Sequence, residues 1–109
     1  MRVSARLIVV ILLTLVVLAW FWPVALGRLP SGGDATARHL PQMLQYDEAL
    51  AAGQMPIWND QVAFGEPLHA QGEVGLYYPL HLLLHSLLPG RTAYGMSLLL
   101  HMLLAMWFA

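Results

Sequence analysis

The sequence predicts an all-α membrane protein: two transmembrane helices joined by a long external loop that carries amphipathic helices. Three observations carry that expectation. Of 109 residues, 59% are hydrophobic and only 10% charged, where a globular domain carries about 25% charged residues. All six acidic residues (Asp34, Asp47, Glu48, Asp60, Glu66, Glu73) fall in one central stretch, so the polar part of the chain is its middle. The stretch 7–26 runs uncharged, with Thr14 as its polar exception. At about 1.5 Å per residue it is long enough for the roughly 30 Å of a bilayer's hydrocarbon core.

Residues 1–6 carry Arg2 and Arg6, and the positive-inside rule puts them in the cytoplasm. The span over 7–26 then exits through Trp20, Phe21 and Trp22, aromatic side chains suited to an interface. Pro23 sits near that exit, where a lost helical hydrogen bond is easily replaced. Ala25 and Gly27 are small residues at the spacing a signal peptidase reads, so cleavage after Gly27 is the rival reading. The apolar run exceeds the roughly 7 to 15 residues of a signal core, which favours a retained anchor.

Residues 27–91 form the external loop. Its opening, Arg28–Gly33, is turn chemistry. Leu40, Met43, Leu44, Leu50 and Ala51 recur near helical spacing and predict an amphipathic helix over about 40–52, started or kinked by Pro41 and stopped by Gly53. From 54 to 75, Pro56, Gly65, Pro67, Gly72 and Gly75 break any period, which predicts irregular loop. Ile57, Trp58 and Phe64 within it suit an interfacial position. The apolar run 76–88 is too short to span and reads as an interfacial or re-entrant helix. After Pro89-Gly90, residues 92–109 are apolar apart from Ser97 and His101, which predicts a second span. It reaches the carboxyl end with no flanking charge, so the chain is expected to be the front of a larger membrane protein.

Composition excludes several chemistries. With no cysteine there is no disulfide framework, thiolate nucleophile or sulfur-based zinc site. Five scattered arginines make no nucleic-acid face, so no nucleic-acid partner is expected. No phosphate-binding glycine loop or nucleophile elbow is present.

Asp34, just beyond the first span, reads two ways: as a helix N-cap, or as a general base at the membrane face. Arg38 would pair with Asp34 four residues earlier on a helix, or hold a phosphate. His81 and His85 share a helix face. With His69 or Glu73 they would make a metal site, and otherwise they mark the wet side of that helix. His101, inside the second span, suits helix packing. Glu66 precedes Pro67 in a stretch of the kind that shapes binding loops.

The order of motifs is more specific than any one of them. A membrane helix is followed by GGD (32–34), HLPQ (39–42), GQMPIWN (53–59), FGEPLHAQ (64–71) and LYYP (76–79). This succession resembles the first external loop of bacterial YfhO-type membrane proteins, which look like multi-span glycosyltransferases of the GT-C fold. Asp60 departs from the pattern, which commonly has a proline after Trp-Asn. The resemblance implies a bacterial cytoplasmic-membrane enzyme moving sugar from a polyprenyl-phosphate donor to a cell-envelope acceptor. It also makes Asp34 the inheritor of the catalytic aspartate, which in such enzymes acts as base or helps hold a divalent metal; no other cofactor is expected. Arg38, His39, Trp58 and Glu66, within or beside the shared motifs, are the expected substrate-binding residues. The alternative is a small non-enzymatic two-span protein whose loop binds a partner or lipid headgroups.

Overall fold

A computed structural model describes residues 4–29, 32–62 and 64–108 of the chain. It is 73% helical and elongated, with a long axis of 61 Å. Helix α1 runs from Ala5 to Ala25. Ser4 caps it, its hydroxyl accepting a hydrogen bond from the Leu7 amide at 3.3 Å. Among the described residues α1 alone is long and apolar enough to cross a membrane, with a mean hydropathy of 2.8 and none of that stretch buried. Leu12, Leu15 and Val16 are each more than half exposed. So continuous an apolar surface marks a membrane or partner-facing side.

The last helix, α4 (Gly90–Phe108), runs antiparallel to α1. At 19 residues it has the length of a span, but Arg91, Thr92, Ser97 and His101 dilute its apolarity. Two contacts fix it on α1. At one end Gly95 lies so close to Val24 that a Cβ there would collide with the Val24 carbonyl oxygen, the small-residue approach typical of tightly packed helices. At the other end Trp107 Nε1 donates to Thr14 Oγ1 at 3.1 Å. Ala25, one of the two small residues of the cleavage-like sequence, is buried in this pair, and Gly27 lies against Arg91. Both therefore have a packing role.

Between α1 and α4 in sequence comes a layer, packed against α4, built from α2 (Leu40–Ala51), α3 (Pro79–Leu87) and the segment joining them. Its core is Met43, Tyr46, Leu68, Val74 and Leu76. Tyr46 is wholly buried and its hydroxyl donates to the Leu76 carbonyl at 3.0 Å, which satisfies the one polar group the ring carries inward. Burial raises its pKa above the usual tyrosine value.

The joining segment is more regular than the glycine and proline content predicts. Strands β1 (Trp58–Asn59) and β2 (Glu66–Pro67) pair antiparallel, Trp58 opposite Pro67 and Asn59 opposite Glu66. Two 3₁₀ turns follow at Leu68–Ala70 and Gly72–Val74. A two-residue ladder has no alternating run to betray it; the chain is mostly helical, as expected, with this small hairpin in addition. Leu68 and Val74 anchor the turns in the core, and Gly75, at φ 60°, ends the second turn in a left-handed conformation.

Candidate functional site

Ahead of α2 the backbone widens into a π-helical segment, Ala35–His39, closed by the Leu40 amide bonding back to the Ala35 carbonyl. Pro41 supplies the reason. It has no N–H for the Ala37 carbonyl and its ring crowds that oxygen, so the turn before it opens. Such widened turns frequently carry functional residues.

Asp34 precedes this segment, exposed and in helical conformation, and its side chain caps nothing. The capping there is done by Thr36, whose hydroxyl accepts from the Gly32 amide at 3.0 Å. The N-cap reading of Asp34 is therefore corrected. Arg38 turns to Glu73 in place of Asp34, Nη2 to Oε2 3.4 Å, both side chains more than half exposed. The widened turn explains this, since the i, i+4 alignment of an α-helix no longer holds across it. An ion pair so exposed stabilises little, and the guanidinium keeps further donors free for an anion.

Of the residues singled out in the sequence, the structure brings Arg38 and Glu66 to one cavity. It measures about 300 Å³ and is lined by Ala37, Arg38, Pro41, Gln42, Val62 and Glu66. Glu66 comes from β2, half-buried and held opposite Asn59. Gln42, a residue sequence reasoning passed over, is nearly buried, and its Nε2 donates to Gln71 Oε1 at 2.7 Å. Its signal was present: it closes the HLPQ run and lies four residues after Arg38. His39 stays half-buried in the π-helical segment. Trp58 lies apart, exposed, its indole over Gly65, and lines a different groove with Gln45, Glu48 and Asp60.

His81 and His85 do not face water. They point into the junction of α2, α3 and α4, and His85 is only 4% exposed. The wet-side reading fails because that face of α3 packs on its neighbours and not on solvent. His69 is elsewhere, its Nδ1 3.3 Å from the Ile57 carbonyl oxygen. Among the described residues no group of three or more His, Asp or Glu side chains is arranged to hold a metal ion. Asp34 belongs to no such group among the described residues. His101 packs as its place in a helix interface suggests, with Nδ1 2.6 Å from the Ser97 carbonyl oxygen and Nε2 3.0 Å from the Tyr78 hydroxyl.

Compared with known proteins, the chain matches no family model, no curated protein and no solved structure.

Proposed function

We propose that this chain is the amino-terminal part of a GT-C-like membrane glycosyltransferase. In this reading α1 and α4 are two spans, the layer between them is external, and a sugar passes from a polyprenyl phosphate to a cell-envelope acceptor. The observation that carries the reading is the cavity in which Arg38 and Gln42, from the segment that follows α1, meet Glu66 of β2. A cation beside an amide and a carboxylate suits a sugar phosphate: the guanidinium bonds the phosphate oxygens while the amide and carboxylate bond sugar hydroxyls. The motif order supports it independently.

The chemistry balances without a further co-reactant. Asp34 takes the proton of the acceptor hydroxyl as its oxygen attacks the anomeric carbon. The bond from that carbon to the phosphate oxygen breaks, and Arg38 stabilises the charge left on the polyprenyl phosphate. Asp34→Asn in the complete protein is expected to insert normally and to lose about 10²- to 10⁴-fold in sugar transfer. Transfer of labelled sugar from a polyprenyl-phosphate donor in membranes measures this. Undiminished transfer removes Asp34 from the mechanism.

A second reading has its own observation. Met55, Ile57, Trp58, Val62 and Phe64 all expose apolar side chains on one loop, which suits a non-enzymatic protein whose loop binds headgroups or a partner. Under that reading the Asp34→Asn chain has no activity to lose.

A further inference from the structure

A run of polar side chains crosses the junction of the three shorter-range packed helices. Tyr78, at the head of α3, lies 3.0 Å from His101 Nε2. His101 Nδ1 lies 3.4 Å from Ser97 Oγ, and Ser97 Oγ lies 3.0 Å from His81 Nε2. The His81 and His85 rings stand edge to face with centroids 6.2 Å apart. His85 Nδ1 ends the run 3.7 Å from Asp47 Oδ1 on α2, beyond hydrogen-bond reach.

The inner end of this run is anomalous. Both ring nitrogens of His85 are buried and without a hydrogen-bond partner, the Asp47 carboxylate standing off at 3.7 Å. An imidazole always carries at least one N–H, and leaving it unpartnered inside a protein costs about 1–3 kcal/mol. Side chains that only pack, such as leucine, would fill the same place without that penalty. Among the described residues the titratable groups beside His85 are Asp47 and Tyr46 from α2 and His81 from α3; on α4, His101 stands beside His81, and Tyr94 packs against the core that holds Tyr46. One carboxylate thus faces two neighbouring imidazoles.

We propose that this junction is a proton-operated latch: α2 seats on α3 and α4 while His81 and His85 are neutral, and acidification that charges them releases α2. The pair holds one anion for two prospective cations, so the second proton enters without a counter-charge. Burial lowers the pKa of His85 first of all, Asp47 opposing and His81 adding to the fall. Burial likewise lowers His81, with the Val74 and Gly75 carbonyls opposing and His101 adding. The sign follows: the seated state binds fewer protons than the released one. Its advantage is complete above the ordinary histidine value of about 6.5 and is lost as pH falls below it, by up to about tenfold per pH unit for each proton taken up. Because α2 carries Gln42, the latch also governs one wall of the Arg38–Glu66 cavity.

Amide hydrogen exchange of the intact chain in nanodiscs, corrected for intrinsic rates, tests this at about pH 7.5 and about pH 5.5. Residues 40–51 are expected to exchange about tenfold faster relative to α1 at the lower pH. The His81→Gln/His85→Gln double variant is expected to abolish that difference, and His69→Gln, at an exposed site, to leave it intact. Equal protection of α2 at both pH values overturns the latch, as does a loss that survives in the double variant. Should the double variant fail to insert, ring-nitrogen NMR of the wild-type chain decides. His85 titrating at its ordinary value overturns the proposal; titration displaced downward and accompanied by release of α2 upholds it.

Discussion

The α1–α4 pair and the layer packed against α4 are held together by different means. The pair turns apolar side chains outward and is fixed at two places, a glycine against a carbonyl and an indole on a threonine hydroxyl. The layer turns its apolar side chains inward, around a wholly buried Tyr46, and takes its order from a core as a soluble domain does. Under the proposed membrane reading, the contrast fits one short chain to two surroundings. A helix pair facing an apolar medium gains nothing from hydrophobic contact between its members, so close backbone approach and single polar bonds decide its geometry. A water-facing layer has burial to work with.

Substitutions can break or sharpen that contrast. The largest effect is expected in the layer: Tyr46→Ala should destabilise it by about 3–5 kcal/mol, while Tyr46→Phe, losing only the bond to the Leu76 carbonyl, should cost about 1 kcal/mol. Denaturant titration of the layer by tryptophan fluorescence reads both, and a Tyr46→Ala chain that unfolds like wild type would deny the layer its own core. Next comes the pair. Gly95→Ala should cost about 1–3 kcal/mol, because a methyl meets backbone and not a side chain that can turn away. Spin labels on α1 and α4 should report a widened separation, with exchange protection of α2 unchanged; a fixed separation would mean that Gly95 is not the point of closest approach. Smallest of all, Thr14→Val should cost about 0.6 kcal/mol, a typical interhelical hydrogen bond in a membrane, read as increased solvent quenching of Trp107 fluorescence.

The helical character of the chain was legible because it rests on local pattern. The apolar run 7–26 overlaps α1, and the periodic leucines and methionine of 40–52 overlap α2. What the sequence hid is nonlocal. His81 and His85 could be placed on one face, but that this face meets Ser97 and Asp47 depends on how three helices fold back on each other. Arg38 and Glu66 were each singled out, yet nothing local indicated that they share a cavity or that Gln42 lines it. The π-helical turn is absent from the sequence pattern for a physical reason: Pro41 signals a helix start or a kink, and its effect falls on the residues before it. The two-residue strands offered too little length for any period.

The two contacts between α1 and α4 also have a mechanical meaning. Rods touching at one place can swivel about it. Val24 and Thr14 are separated by ten positions along α1, about 15 Å of helix, so the pair is pinned twice and both rotation and sliding are blocked. Thr14 manages its pin economically: its hydrogen goes to the Val10 carbonyl at 2.7 Å, which leaves a lone pair for the indole of Trp107. A push delivered to the head of α4 by the layer above would therefore tilt both helices as one strut.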